Sequence, residues 1–332
     1  MPKLKVSASE LNLAVVLRNG QSFRWEKEEG DSFVGVMGHR IWRLARADAS
    51  HISYEVLGRF KRAVLEEDDA ESLGDYFQLE RLSLKKKYSE WAKADAVFRR
   101  ALAAAPQTLA GIRQLRQDPV ECLFSFICSS NNNIGRIARM VEALATHFGE
   151  ALSTEQGATY YDFPSLSALA SDPKMVEEKL RSLGFGYRAG YIAKSAAVLA
   201  EKEGGGEAWL AKLRHLPYEQ AHSALQHLPG VGAKVADCVC LMALDKLGAV
   251  PLDVHVANIT RQHYLPTLPR NLTATTHKDV GNLWREKFGE EAGWAQTVLF
   301  SADLKRFATH KPSGPPPKKS RPKKTLLISK PN

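Results

Sequence analysis

The chain has 332 residues, 44% of them hydrophobic and 25% charged, with 46 Lys or Arg against 37 Asp or Glu for a formal charge of +9. That length suits two or three packed domains of a soluble, globular protein. No apolar run is long enough to cross a bilayer, and Lys3, Lys5 and Glu10 interrupt any secretory core near the start, so a membrane partner is excluded and an intracellular protein is expected.

In chain order, the short runs Ser22–Trp25, Ser32–Met37, Ile41–Ala45 and Ile52–Leu57 are rich in β-branched or aromatic residues and are broken by Gly20, Gly30 and Gly38. They predict an antiparallel sheet in the first 80 residues. From about Ser83 the pattern turns helical, which gives a strand-rich domain over 1–105 and a helical one over 106–310. Pro119 opens a helix whose segment Cys122–Cys128 is apolar almost all round, as a central buried helix should be. It runs into Ser129-Ser130-Asn131-Asn132-Asn133, most simply a connector and cap, before Ile134, Ile137, Val141, Leu144 and Phe148 recur at helical spacing. A Ser/Asp-rich connection is expected over Ser153–Pro173, then a helix Met175–Ser182. The two glycines beside Tyr187 and Arg188 read as a helix stop and a new start.

The stretch His227–Ile259 is the most informative. A helix ending near Leu228, a tight turn Pro229-Gly230-Val231-Gly232 and a second helix from about Ala233 to Leu247 make a helix-hairpin-helix over 218–247. Without side chains at Gly230 and Gly232 the turn's N–H groups can approach a phosphate, aided by the following helix N-terminus. Lys234 stands in that helix's first turn. It is either a solvated lysine or, because a cation there faces the positive end of the helix dipole, a source of neutral, nucleophilic amine. Cys238, one turn on, shares its face as a small core residue or as a partner of Lys234 or of a planar ligand. Asp253 is an N-cap by position, and a carboxylate there can also stabilise a developing cation.

The last folded segment holds Thr273–Phe288 and then Gly293–Phe300, where Gln296 and Phe300 share a face and Phe300, taken alone, reads as core. From Lys311 onward there are seven Lys or Arg and no acid, leaving 39 basic against 37 acidic residues before it. The near-neutral body should therefore make few, local phosphate contacts. The Pro/Lys-rich tail 311–332 is expected to be disordered, and its KKSRPKK reads as a nuclear-import signal or as a solubilising tail. The cysteines Cys122, Cys128, Cys238 and Cys240 form no C-x-x-C pair, which suggests neither zinc nor a four-cysteine iron–sulfur cluster.

The blocks GQSFRW, PVECLFSFICSSNNNI, GYRA, GVGAKVADCVCLMALDK, VPLDVH and WAQTVLFSADL, spread in this order from Gly20 to Leu304, resemble the helix-hairpin-helix base-excision DNA glycosylases, specifically the eukaryotic-type 8-oxoguanine DNA glycosylases. The resemblance implies roles. The Gly20 carbonyl would accept the N7 proton that oxidised guanine has and guanine lacks. Cys238 and Phe300 would sandwich the extruded base while Gln296 reads its pairing edge. Asn131 would fill the gap in the stack and Tyr187 would wedge the adjacent step. Arg136 and Arg188 would bind the orphaned cytosine, with Gly230, Gly232 and His255 near phosphates. Two departures stand out: Gly190, where a basic residue is common, and Val256-Ala257, where a bulky aromatic is expected beside the histidine.

The fold expected is α+β, an N-terminal antiparallel β-sheet domain and two mainly α-helical lobes carrying the helix-hairpin-helix, with a DNA cleft between the lobes. The activity expected is bifunctional: excision of 8-oxoguanine opposite cytosine with Lys234 as nucleophile and Asp253 as stabilising carboxylate, then β-elimination. No cofactor is required, and a metal ion held by hairpin carbonyls would serve only phosphate binding. The partner is damaged double-stranded DNA, the protein a monomer, and the location the nucleus with room for a mitochondrial fraction. A glycosylase for other damaged purines and a non-catalytic DNA-binding protein are the alternatives. Lys234 speaks against the latter.

Overall fold

The structure is a computed structural model that describes residues 1–66 and 68–309, the last five by backbone alone. The basic tail 311–332, and with it the expected disorder and import signal, lies outside the described residues.

Five strands, β1 Lys3–Lys5, β2 Trp25–Lys27, β3 Ser32–Met37, β4 Arg40–Asp48 and β5 His51–Arg59, form an antiparallel sheet in the order β1-β5-β4-β3-β2. The turn between β3 and β4 is Gly38-His39 with both φ angles positive, the primed geometry that matches the twist of two adjacent strands. Alternation does the rest: Phe33, Trp42, Leu44 and Ile52 point to one face and pack with Leu13, Val16 and Leu73. Val34, Val36 and Ile41 point to the other and pack with Leu152 and Tyr160. Those two residues belong to β6 Ala151–Ser153 and β7 Thr159–Tyr161, an antiparallel hairpin that stands where a plain connection was expected. The expected strand at Ser22–Trp25 is also shifted, beginning only at Trp25.

Helices start earlier than the apolar periodicity suggests. Asp69–Tyr76 is already helical, its N-terminus held by the Asp68 carboxylate. Leu84, Trp91 and Phe98, within the first 105 residues, pack with the helical body rather than with the sheet. Helix Pro119–Ile127 has Asp118 as cap and Pro119 in its first turn, and all but one of its residues are buried, so it forms the axis on which the two helical lobes share one contiguous core.

Candidate active site

Helix Tyr218–Leu225 and helix Ala233–Ala243 flank the hairpin. The second helix is a turn shorter than the sequence predicts because Asp245 takes a left-handed φ of +63°, fixed by paired hydrogen bonds from Arg116 at 2.8 and 3.0 Å. The two glycines differ. Gly230 has φ +80°, and an added Cβ would lie 2.5 Å from Tyr191 Cγ, so a side chain is barred twice over. Gly232 has φ −93° and an added Cβ there meets nothing within 4 Å, so neither backbone nor packing demands glycine. What its missing side chain leaves is access. Gly232 caps helix Ala233–Ala243 without a side-chain hydrogen bond, and the first-turn amides, which have no intrahelical acceptor, face open space suited to an anion.

That space is a cavity of about 810 Å³ lined by Gly20, Asn131, Gly232, Lys234, Asp253, His255 and Phe300 together with Phe126, Ser129 and His277. The structure thus gathers seven of the predicted residues, from segments far apart in the chain, around one opening. The Lys234 amine donates to Ser129 Oγ at 3.0 Å and lies 5.3 Å from the Phe126 ring centre. Cys238 is buried behind it: burial pushes its thiol up to about 11, while the charge of nearby Lys234 pulls the other way. Beneath the same helix Asp237 accepts from the Tyr218 hydroxyl at 2.6 Å, and burial raises its carboxyl to about 7. Asp253 caps helix Val254–His263, its Oδ1 accepting from the Val256 amide at 2.9 Å. The edge of His255 meets the Phe300 ring at 5.7 Å, and Asp303 sits 3.5 Å from its Nδ1.

Cys238 and Gln296 are buried and do not line the cavity, unlike Phe300 one turn beyond Gln296. Arg136 and Arg188 also part company. Arg136 is exposed and donates to the Gly184 carbonyl at 3.2 Å. Arg188 is 3% exposed and donates to the carbonyls of Ser130 and Asn131, with its guanidinium 4.6 Å over the Tyr187 ring. The Tyr187 hydroxyl donates to the same Ser130 carbonyl at 3.1 Å, so both residues brace the loop in which Asn131 holds a φ of +47°.

The N-terminal part of the chain, residues 3–123, matches the family pattern described as 8-oxoguanine DNA glycosylase, N-terminal domain, and residues 124–285 match the HhH-GPD superfamily base excision DNA repair protein. The chain is 40% identical to "N-glycosylase/DNA lyase OGG1" of Arabidopsis thaliana over 91% of this chain and 80% of that one. Among solved structures it is similar to MBOgg1 in complex with a low affinity DNA ligand, with a TM-score of 0.77 at 30% identity over 92% of this chain and 96% of that one. It is also similar to Clostridium acetobutylicum 8-oxoguanine glycosylase/lyase bound to dsDNA containing cytosine opposite 8-oxoG, with a TM-score of 0.74 at 25% identity over 90% and 93%. This chain belongs to the 8-oxoguanine DNA glycosylase family. It is a DNA glycosylase with lyase activity.

In this member of the 8-oxoguanine glycosylases the departures from the family pattern have local reasons. An added Cβ at Gly190 would come 3.1 Å from Glu177 Oε1, a carboxylate already paired with Arg181 at 2.6 Å. Val256 and Ala257 are packed into the helical core, which leaves their small side chains no gap to fill. Two residues escape the sequence reading. Ser129 is one. The other is Gln21, 2% exposed, whose amide donates to the Arg113 carbonyl at 3.0 Å and accepts from Gln114 Nε2 at 2.6 Å and the Leu115 amide at 2.9 Å. Gln114 in turn accepts from Thr297 at 3.0 Å, and Asn19 donates to Ser301 at 3.3 Å, so the residues on either side of Gly20 are tied to the helix that bears Gln296 and Phe300. Nothing in the local pattern of Arg18–Arg24, where polar residues stand on both sides of Gly20, marks Gln21 as buried.

Proposed function

We propose that this glycosylase excises 8-oxoguanine opposite cytosine from duplex DNA through a covalent Lys234 intermediate, and that it acts as a nuclear monomer without a cofactor. The observation that carries the reading is the Lys234 amine in one cavity with Asp253, directly after the uncapped hairpin amides. A phosphate at those amides brings the adjacent sugar toward the amine. The Lys234 lone pair forms the new bond to C1′ as the glycosidic C–N bond breaks and its electrons leave with the base, which takes up a proton. The Asp253 carboxylate stabilises the positive charge that builds on the sugar. The attached amine gives up a proton, O4′ takes one up from water as the C1′–O4′ bond opens to the protonated Schiff base, and loss of the C2′ proton then breaks the C3′–O bond so that the 3′ strand departs with its phosphate. Family likeness supports Gly20 and Gln296 as readers of the base. The exposed guanidinium of Arg136 suits the N3 and O2 acceptors of an orphaned cytosine, whereas adenine would oppose a donor to a donor. Arg188, engaged with loop carbonyls, contributes by holding Asn131.

The test is borohydride trapping on duplexes with 8-oxoguanine opposite each of the four bases. Wild type should crosslink, fastest opposite cytosine, and Lys234→Gln should bind yet neither excise nor crosslink. An active Lys234→Gln refutes the covalent mechanism, and equal wild-type rates opposite cytosine and adenine refute the selectivity.

A further inference from the structure

The Lys234 amine makes a contact that the functional reading does not use. Its donor, 3.0 Å from Ser129 Oγ, reaches across from helix Ala233–Ala243 to the end of the central helix, 105 residues away in sequence. Ser129 is not a neutral bystander in this bond, because its own proton is committed: the hydroxyl donates to the Phe126 carbonyl at 2.7 Å, and a carbonyl can only accept. Ser129 Oγ therefore presents a lone pair, never a proton, to Lys234. A hydroxyl free to rotate could instead donate to the amine and occupy the lone pair that must attack the sugar.

We propose that Ser129 is a positioning residue for the nucleophile, a proton-committed acceptor that takes one N–H of the neutral Lys234 amine and so directs its lone pair into the cavity. A neutral amine has two N–H bonds and one lone pair in a tetrahedral arrangement. Ser129 Oγ accepts one N–H and so leaves the second N–H and the lone pair to share the two directions away from the serine. The open side of Lys234 is the cavity shared with Asp253 and His255, so with one N–H held by Ser129 the lone pair is free to face the side from which C1′ must approach. The Phe126 ring, 5.3 Å away, closes the side below. Ser129 also begins the loop that carries Asn131, so a loop displaced by mismatched DNA would move the acceptor and with it the lone pair.

This proposal rests on Lys234 as nucleophile, and its test keeps the two apart. Single-turnover excision and borohydride trapping are measured at saturating enzyme for Ser129→Ala, Ser129→Thr and Lys234→Gln, alongside affinity for a non-hydrolysable lesion duplex and the thermal midpoint. Ser129→Ala is expected to excise and crosslink about tenfold or more slowly, since a misaligned reactant loses rate steeply, with affinity and midpoint near wild type. Ser129→Thr keeps the hydroxyl and should restore most of the rate. Wild-type trapping in Ser129→Ala, or a loss confined to affinity, overturns the positioning role while a dead Lys234→Gln leaves the nucleophile in place. Failure of the threonine to rescue a folded, DNA-binding protein overturns it as well. An active Lys234→Gln removes both.

Discussion

Asp253 accepts the Val256 amide through Oδ1 at 2.9 Å, which is a complete N-cap whatever else the carboxylate does. Cap and charge can be separated, because an asparagine keeps the accepting oxygen and loses only the negative charge. Asp253→Asn should therefore unfold at nearly the wild-type temperature and bind lesion DNA, yet turn over about a hundredfold or more slowly if the carboxylate offsets charge on the sugar. Asp253→Ala should lose the cap as well, about 1 kcal/mol. Thermal denaturation and single-turnover rates of the two variants decide it, and a fully active Asp253→Asn would leave the residue as a cap alone. The residue scale is also where sequence reading runs out. Lys234 and Asp253 stand in recognisable local contexts, a first turn after a glycine hairpin and the start of a helix. The acceptor of the Lys234 amine, Ser129, lies in another helix's terminus, and nothing in the local pattern at either site indicates the other. The burial of Gln296 beside the cavity-lining Phe300 is likewise a matter of tertiary packing that a shared helical face does not resolve.

At the scale of elements, helix Arg188–Ala200 joins the two parts of the molecule that would hold DNA. Tyr187 and Arg188 at its start hold the Ser130–Asn131 loop through carbonyl hydrogen bonds. One turn on, the Tyr191 ring packs at Gly230 of the hairpin and edge-on to Tyr187 at 5.7 Å, and a further turn on Ser195 Oγ donates to the Pro229 carbonyl at 2.7 Å. Residues 187, 191 and 195 follow one helical face, so a single helix sets the distance between the Asn131 loop and the Gly230 turn, the two segments proposed to fill the base stack and to bind phosphate. Tyr191→Ala should weaken binding to a lesion duplex about tenfold by loosening that spacing, while Tyr191→Phe, which retains the ring, should bind as wild type. Titration of the two variants against labelled duplex checks this, and unchanged affinity in Tyr191→Ala would show that the hairpin keeps its place without the ring. Much of this scale is legible in the sequence: the β3 boundaries, the central helix and the hairpin follow from alternation, apolar run and glycine placement. The missed pieces are short. Three-residue strands such as Ala151–Ser153 and Thr159–Tyr161 have no periodicity to detect and exist because each supplies the other's hydrogen bonds beside the open face of the sheet. Lys3–Lys5 is a charged edge strand for the same reason.

For the whole molecule the question is where attraction to DNA comes from. The residues before Lys311 carry 39 Lys or Arg against 37 Asp or Glu, whereas 311–332 carry seven basic residues and no acid. Long-range attraction to a polyanion follows net charge, whereas the proposed excision chemistry rests on the local arrangement of hairpin amides, Lys234 and Asp253, so the two are expected to be separable along the chain. Each phosphate neutralised releases counterions and contributes about 0.9 to the slope of log affinity against log salt on duplex DNA. Removing residues 311–332 should flatten that slope for undamaged duplex by several units and weaken low-salt binding. The single-turnover rate of 8-oxoguanine excision at saturating enzyme should stay within about twofold of wild type, because no group that positions the reacting sugar has been touched. The comparison needs affinity measured across a salt series and rate measured at saturation, since one salt concentration would confound attraction with chemistry. An unchanged slope would place the phosphate contacts on the near-neutral body, and a collapse of the saturated rate would make the tail part of the catalytic assembly.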